Sequence, residues 1–312
     1  MPHNVYIASQ CEKGGIYHCI LSDSGRLTLK KIYESPRPCY FCREGDVLYA
    51  LLREPFLFSS GVREYRIEPN GDLAPLGEIK SVHGTIAAHL YAEKGKLYVA
   101  NYINGTAILM PDTMAAFNGN SHPHCICPSP DGEYIFIPDQ GTDCIHALKK
   151  NMEKQYDLSM PAGSGPRHML FAPDGRHAYC ANQDNSTVSV LKYEEGRLSL
   201  FSSVSTLPEG FKEKNEVAAI RLSNDGKTLF VSNRGHDSAA VYSLSPSGDA
   251  LKLLGFIPSF GKTPREMTVI GSFLLFGNID SGTVSVFSIE EKLPQSPLCV
   301  INIEQPWGII GD

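Results

Sequence analysis

The sequence lacks the features that mark membrane-bound, secreted and nucleic-acid-binding proteins. It contains no window close to the roughly 18 apolar residues that a membrane-spanning helix requires. The first residues, 1-MPHNVYI, lack the basic region and apolar stretch of a secretory signal. An excess of basic residues is also missing, because 28 Lys and Arg face 34 Asp and Glu for a net charge of −6. We therefore expect a cytoplasmic protein with neither nucleic acid nor membrane as partner, in which any anion site is local.

Catalytic fingerprints of fixed local spacing are absent as well. No Walker loop, Gly-x-Ser-x-Gly elbow or dinucleotide fingerprint occurs in a credible context. His122, His124 and His168 could suggest zinc, but Cys39 and Cys42 lie three apart in a predicted strand, which points their thiols to opposite faces. We therefore predict neither a metal nor a cofactor. The nine cysteines form an odd set, and most occupy predicted buried strands, which fits a reduced compartment: Cys19, Cys39, Cys125, Cys127, Cys180 and Cys299.

The chain instead carries a repeated unit of strand, polar turn and strand. Clear copies span 132–148, 175–191, 226–242 and 271–287, and three looser copies precede them. Their Thr-Val-Ser-Val alternation has the period of two that belongs to strands. The residues that close the first strand of each pair recur about every 45 residues, the period of a four-stranded propeller blade. These residues are Ser9, Leu52, Asn101, Asp139, Asn182, Asn233 and Asn278.

The two ends of the chain complete the repeat. Six of the seven pairs are preceded by a further apolar run that ends in a turn such as Pro-Asp-Gly. The pair that starts at Val5 has no such run, whereas the C-terminal segment 304-EQPWGIIGD has the missing form. This segment is therefore predicted to form the innermost strand of the N-terminal blade, which removes the open sheet edges. The sequence thus predicts an all-β fold over residues 1–312, a single-domain seven-bladed β-propeller with four-stranded blades.

The first strand of each blade lines the channel of a propeller, so its leading residues form a ring at one mouth. The Pro-to-Gly spacing of these runs places in the ring Arg37, Ala87, His124, Arg167, Ala218, Arg265 and Trp307. Two explanations of its three arginines stay open. Each Arg can pair with an acid of a neighbouring blade, with Glu266 as the main candidate. Alternatively, the guanidinium groups bind phosphate or carboxylate, and we favour such a small anionic metabolite as the ligand.

Four short motifs also resemble those of a known family: 122-HPH, 165-GPRH, 233-NRGHDS and 264-PRE. They are similar to the motifs of the seven-bladed propeller lactonases. That family includes the propeller type of 6-phosphogluconolactonase and the fungal carboxy-cis,cis-muconate cyclases. The resemblance covers nearly the whole chain.

The resemblance implies a site at the channel mouth in which a His, two Arg and a Glu act on a lactone. By position, the His and Arg roles fall on His124, Arg167 and Arg265, whereas the Glu falls on Gln183. A second acid of the family falls on Ala219. Because both differences remove a carboxylate, we expect His124 to activate the attacking water.

These considerations predict a lactone hydrolase, most specifically one for 6-phosphogluconolactone in carbohydrate metabolism and the pentose phosphate pathway. The predicted catalytic residues are His124, Arg167, Gln183 and Arg265. The predicted substrate-binding residues are Arg37, His122, His168, Arg234 and Glu266. Glu266 is also the fallback carboxylate for water activation. Two alternatives stay open: a cyclase or cycloisomerase of a dicarboxylate, and a non-catalytic propeller that binds an anionic metabolite or a protein partner.

Overall fold

The structure, a computed structural model, describes residues 2–290 and 293–312 of the chain. Within these ranges the regular elements are β-strands, and 28 strands form seven four-stranded antiparallel sheets. No helix that could cross a membrane occurs among the described residues. The sheets are the blades of a ring around a central channel, each with one strand innermost. The prediction of an all-β, seven-bladed propeller is confirmed.

The blades are numbered in chain order, with the strands of each given from the channel outwards. Blade 1 contains β28 (Pro306–Gly311), β1 (His3–Ser9), β2 (Gly15–Leu21) and β3 (Leu27–Glu34), and blade 2 contains β4 (Pro38–Glu44), β5 (Val47–Phe56), β6 (Ser59–Ile67) and β7 (Leu73–Ser81). Blade 3 contains β8 (Ala87–Glu93), β9 (Lys96–Asn101), β10 (Thr106–Leu109) and β11 (Thr113–Ala116), and blade 4 contains β12 (Cys127–Pro128), β13 (Tyr134–Asp139), β14 (Cys144–Lys149) and β15 (Lys154–Ser159).

The remaining three blades follow the same plan. Blade 5 contains β16 (Pro166–Phe171), β17 (His177–Asn182), β18 (Thr187–Glu194) and β19 (Arg197–Ser205). Blade 6 contains β20 (Glu216–Leu222), β21 (Thr228–Arg234), β22 (Ser238–Leu244) and β23 (Leu251–Pro258), and blade 7 contains β24 (Pro264–Ile270), β25 (Phe273–Asn278), β26 (Thr283–Ser288) and β27 (Cys299–Asn302).

The C-terminal strand closes the ring as predicted. β28 pairs with β1 from Val5 opposite Gly311 to Ser9 opposite Pro306. Beyond the strands, the carboxylate of Asp312 accepts hydrogen bonds from the backbone and side-chain amides of Asn4, at 2.9 and 2.7 Å. Because β28 and β1 come from the two ends of the chain and pair here, blade 1 has the same four strands as its neighbours.

Contacts between blades hold the ring together. The second strand of a blade is buried on both faces, as every residue of β17 and β25 shows, because a neighbouring blade covers each face. Tyr6, Tyr98 and Tyr179 occupy one equivalent position, and each hydroxyl donates to a backbone carbonyl of the next blade at 2.6 to 3.1 Å. Each of these buried hydroxyl groups therefore has an acceptor, and the repeat carries its own link between blades.

Candidate active site

A β-bulge near the start of the innermost strand presents one side chain per blade to the channel mouth. The strand register skips one residue at this point in blades 1, 2, 3, 5 and 7. Blade 6 has a wider shift and blade 4 an isolated bridge at the same level. In blade order, the ring residues are Trp307, Cys39, Ala88, His124, Arg167, Ala218 and Arg265.

The observed ring differs from the predicted ring in two blades. Cys39 and Ala88 occupy the positions that were predicted for Arg37 and Ala87. The reason is hairpin length, because blades 2 and 3 join their first two strands by two-residue turns, whereas the corresponding turn of blade 5 is longer. Counting back a fixed number of residues from the Gly of the turn therefore placed the start of the innermost strand too early in both blades. Arg37 precedes β4 and lies exposed at the rim of the mouth.

The ring opens into a cavity of about 370 Å³, which we call the outer cavity. Five of the predicted site residues line it, namely Arg37, His124, Gln183, Arg234 and Arg265. Its other walls are Gln10, Arg53, Glu54, Ile86, Ala88, Tyr102, Gln140 and Trp307. The cavity therefore combines four arginines with one imidazole and one carboxylate.

Two of these arginines are neutralised by acids. Arg37 Nη1 lies 2.8 Å from Glu54 Oε2, and Arg234 Nη2 lies 3.3 Å from Glu216 Oε2. The explanation by pairing thus holds for Arg37, although its partner is not Glu266. The Arg37–Glu54 pair is exposed, so it can open to admit an anion at small cost, whereas the Arg234 side chain is only 10% exposed and its pair is largely buried.

The other two arginines of the outer cavity flank an indole ring. The guanidinium carbons of Arg265 and Arg53 lie 4.2 and 5.1 Å from the ring centroid of Trp307. Neither group forms an ion pair with any residue in 2–290 or 293–312. Burial, followed by the charges of Arg234 and Arg53, lowers the pKa of Arg265 to about 9. The N–H groups of Arg265 are therefore available for a bound carbonyl or anion.

His124 is the buried imidazole of the outer cavity. Its backbone N–H donates to the Pro138 carbonyl at 2.9 Å, and its side chain is 4% exposed. Burial, reinforced by the charges of Arg167 and Arg265, holds its pKa well below 6.5. Its Nδ1 atom has no hydrogen-bond partner among the described residues. The ring is consequently neutral at physiological pH and able to accept a proton.

Three predicted site residues line a second space rather than the outer cavity. Arg167, His168 and Glu266 line a much smaller space of about 10 Å³, which we call the inner cavity. Glu266 Oε1 accepts hydrogen bonds from Arg221 Nη2 at 2.6 Å and from the Met267 amide at 2.9 Å. Glu266 does not line the outer cavity. Its role as a fallback carboxylate stays a prediction, and the structure places Glu266 in the wall of the inner cavity.

His122 lies beside the outer cavity rather than in its wall. Its ring stacks on Tyr102 with centroids 4.6 Å apart, and its Nδ1 lies 3.0 Å from the Tyr102 carbonyl oxygen. Tyr102 in turn donates to Gln140 Oε1 at 3.1 Å, and Gln140 Nε2 donates to Asp184 at 3.1 Å. His122 therefore supports the wall that Tyr102 and Gln140 form.

Comparisons with known proteins agree with this fold. A family model described as "Lactonase, 7-bladed beta-propeller" matches residues 4–295. The chain belongs to that family of propeller lactonases. An uncharacterized protein of Staphylococcus epidermidis is 31% identical over 296 residues, which cover 86% of each chain. An uncharacterized protein of Staphylococcus aureus is 29% identical over 328 residues, covering 95% of each.

Solved structures share the fold of this propeller lactonase. A putative 6-phosphogluconolactonase of Bacteroides uniformis has a TM-score of 0.91 at 23% identity, over 100% of this chain and 99% of the other. A periplasmic gluconolactonase of Pseudomonas aeruginosa has a TM-score of 0.89 at 23% identity, with the same coverage.

Gln183 and Ala219 stand where the resemblance predicted two acids of the family, and their surroundings differ. Gln183 lines the outer cavity, and its backbone N–H donates to the Gly165 carbonyl at 2.7 Å. Ala219 is fully buried and contributes no polar atom. Among the described residues, Glu54 is the one carboxylate in the wall of the outer cavity. Of the described residues in this wall, His124 and Glu54 are the ones whose side chains offer a proton-accepting group.

Sequence reasoning missed several walls of the outer cavity. The signal was present in the repeat, because the residue after each strand-closing residue lines the cavity in six blades. These residues are Gln10, Arg53, Tyr102, Gln140, Gln183 and Arg234. Only Gln183 and Arg234 were named from the sequence, through the family resemblance.

One cluster of metal-ligating residue types lies apart from the channel, in blade 4. Ligand atoms of Asp139, Cys144 and His146 lie within 4.8 Å of one another, and all three residues are buried. His146 contacts Asp139 at 2.9 Å through Nε2 and Asp157 at 2.7 Å through Nδ1. Burial opposes the charge of His146, but hydrogen bonds to Asp139, Cys144 and Asp157 raise its pKa to about 10. The imidazolium itself thus compensates these carboxylates.

A wider groove of about 980 Å³ lies at the other end of the blades. Its walls come from the turns around Asp174, Asp225 and Gly248, and two of these turns follow innermost strands that start at the channel mouth. It includes no histidine or arginine among its described walls. The outer cavity, which combines an imidazole with four arginines, is therefore a better candidate active site than this groove.

Proposed function

We propose that the protein hydrolyses a lactone that carries an anionic group, with 6-phosphogluconolactone as the first candidate. The observation that carries the proposal is the outer cavity, whose walls combine the neutral imidazole of His124 with the unpaired guanidinium group of Arg265. Membership of the lactonase family supports hydrolysis of a lactone. The nine cysteines are free, which supports a reducing compartment, and we propose the cytoplasm and carbohydrate metabolism, through the pentose phosphate pathway, as the setting.

The proposed reaction needs a base and an oxyanion partner. His124 accepts a proton from water as the water oxygen bonds to the lactone carbonyl carbon. Arg265 donates hydrogen bonds to the carbonyl oxygen while it carries negative charge. The carbon–oxygen bond of the ring then breaks, and the proton on His124 passes to the released hydroxyl oxygen. Water and lactone together give one hydroxy acid, which ionises to its carboxylate.

The anionic group of the substrate would lie at the arginine-rich rim. Arg37 is held by an exposed ion pair with Glu54, and Arg234 by a largely buried one with Glu216. A phosphate offers three acceptor oxygens and a larger charge than either carboxylate, so it can recruit both guanidinium groups. Phosphorylated lactones should therefore be preferred over neutral lactones.

The second candidate function is anion binding without catalysis. Gln183 and the buried Ala219 favour it, because the outer cavity has no carboxylate at the positions where the lactonases are expected to hold their acids. In that case the rim arginines would still bind phosphate or carboxylate ligands. The two functions differ in turnover rather than in affinity.

Freshly prepared 6-phosphogluconolactone separates these candidates. Its hydrolysis is followed with and without the protein, and acceleration above the spontaneous rate is expected. Arg265→Met should lower kcat/KM by about 100-fold, the loss typical of one oxyanion donor. Arg43→Met is the matched control, because Arg43 is exposed in the same propeller and lies outside both cavities. Binding of the product without acceleration would favour the non-catalytic candidate.

A further inference from the structure

The inner cavity lies directly beneath the outer cavity and shares part of its wall. Arg53, Ala88, Arg265 and Trp307 line both spaces. The inner cavity has a volume of about 10 Å³, which is room for one water-sized particle. Polyatomic anions such as phosphate, sulfate or a carboxylate group cannot occupy it without a large displacement of the walls.

The charges around the inner cavity do not balance. Arg53, Arg167 and Arg265 bring three guanidinium groups to its wall. Glu266 brings one carboxylate, but this is already paired with Arg221 at 2.6 Å. None of the three guanidinium groups has an ion pair with a residue in the described part of the chain. Buried charges are normally paired, so the wall lacks a negative partner.

Hydrogen-bond donors at this wall are unused. Arg167 is 2% exposed, and its Nε has no acceptor among the residues described, although its Nη1 donates to the Ala218 carbonyl at 2.7 Å. Trp307 Nε1 is buried and equally without an acceptor. Both groups can only donate a hydrogen bond. His168 Nε2 is a third buried atom of the same wall without a partner.

We propose that the inner cavity binds a single monatomic anion, with chloride as its physiological occupant. The anion would accept hydrogen bonds from Arg167 Nε and Trp307 Nε1 and would offset the charges of Arg53 and Arg265. A water molecule could fill the same volume, but it would leave the excess positive charge unchanged. The proposed anion is distinct from the lactone, which is too large for this space.

The sequence supplies an internal probe of this site. Trp307 is the single tryptophan of the chain, so all indole fluorescence reports on the wall that the inner and outer cavities share, and the Arg167 variant separates the two because Arg167 lines only the inner one. A heavy halide in contact with the indole quenches its emission, which makes bromide the most direct probe. Bromide is added to the full chain at constant ionic strength, with methanesulfonate as the replaced anion. The solution contains no lactone.

Bromide should quench Trp307 along a saturating curve, and chloride should reverse the quenching by competition. Arg167→Met should raise the half-saturating bromide concentration at least about ten-fold, the loss expected for a hydrogen bond to a charged group. Arg43→Met, the exposed control, should leave it unchanged. Quenching that rises linearly with bromide, and equally in the wild type and in Arg167→Met, would overturn the proposal.

A second variant and a direct observation guard against misfolding of Arg167→Met. Arg53→Met removes a different charge from the same wall and should weaken bromide binding in the same direction. In a crystal soaked in bromide, anomalous density beside Arg167 Nε and Trp307 Nε1 would support the site. A water molecule there without anomalous signal would overturn it. Neither result bears on hydrolysis, so this proposal and the proposed function fail separately.

Discussion

The channel mouth and the interior of blade 4 each bury one imidazole, yet they give it opposite charge states. His124 and His146 are both 4% exposed. Burial, followed by the charges of Arg167 and Arg265, holds the pKa of His124 well below 6.5. Hydrogen bonds to Asp139 and other neighbours instead raise the pKa of His146 to about 10. Burial is the same in both places, so the sign of the neighbouring charge decides which histidine can act as a base.

The blade 4 cluster is also a modified version of a feature that other blades share. In blade 5, Asn182 Nδ2 donates to Thr187 Oγ1 and Ser189 Oγ at 2.8 Å. The strand register places Asp139, Cys144 and His146 at the same three positions of blade 4. An ionic network thus replaces a neutral one. In the ionic network of blade 4 every buried polar side-chain atom has a hydrogen-bond partner, whereas several atoms of the channel wall have none among the described residues.

The largest test of this comparison removes the cation of the blade 4 cluster. His146→Ser leaves Asp139 buried without its charged partner, so the free energy of unfolding should fall by about 3 to 5 kcal/mol. Urea unfolding measures this loss. Adding Asp139→Asn recreates the neutral Asn and Ser pair of blade 5 and should recover most of it. If His146→Ser alone were as stable as the wild type, the cluster would not be ionic.

Stability should respond to pH with opposite sign in the two regions. The pKa of His146 is raised in the fold to about 10, so its contribution is complete below the unfolded value of about 6.5 and disappears as the pH rises through 10. The pKa of His124 is lowered. Below about pH 6.5 the unfolded chain therefore binds a proton that the folded state excludes, and His124 costs stability there.

Two variants isolate these two contributions. The stability difference between the wild type and Asp139→Asn/His146→Ser should shrink between pH 7 and pH 10. The corresponding stability difference for His124→Gln should appear only below about pH 6.5, where the variant becomes more stable relative to the wild type. Urea midpoints measured from below pH 6.5 up to pH 10 check both. Parallel curves for all three proteins would contradict the assigned charge states.

Removal of the His124 imidazole should affect activity rather than stability at neutral pH. His124→Gln should lower kcat for lactone hydrolysis by about 100-fold or more, the lower range for a positioned base. Its unfolding midpoint at pH 7.5 should match that of the wild type. His83→Gln is the control, because His83 is an exposed histidine outside both cavities. Equal kcat values for the two variants would exclude His124 as the base.

The smallest expected effect comes from restoring a carboxylate at Gln183. Gln183→Glu places a second proton acceptor in the outer cavity, near arginines that favour its charged form. Hydrolysis should rise about ten-fold if the protein is a weakened lactonase. If it only binds anions, the new charge should weaken product binding and leave hydrolysis at the background rate. No change in either quantity would mean that residue 183 does not reach the ligand.

Some errors of sequence reasoning have a clear physical origin. The ring position of Arg37 was wrong because the spacing rule assumed equal hairpins, and blade 2 has a shorter one. Arg53 was missed because it follows Leu52, which lacks the polar character of its counterparts in other blades. Both residues nevertheless line the outer cavity. Repeat spacing thus predicts which end of the channel a side chain lies near, but not whether that side chain belongs to the site.

Periodicity in the sequence determined the number of blades, their strand order and the closure by the segment that carries Trp307, because each depends on local alternation and repeat length. It also placed His124 and Arg265 at one mouth. Only the tertiary structure decided which charges meet, as in the pair of Arg221 with Glu266, which lie 45 residues apart in sequence. Pairing across blades depends on bulges, side-chain length and burial. For that reason the structure, rather than the repeat, separates a neutral His124 from a charged His146.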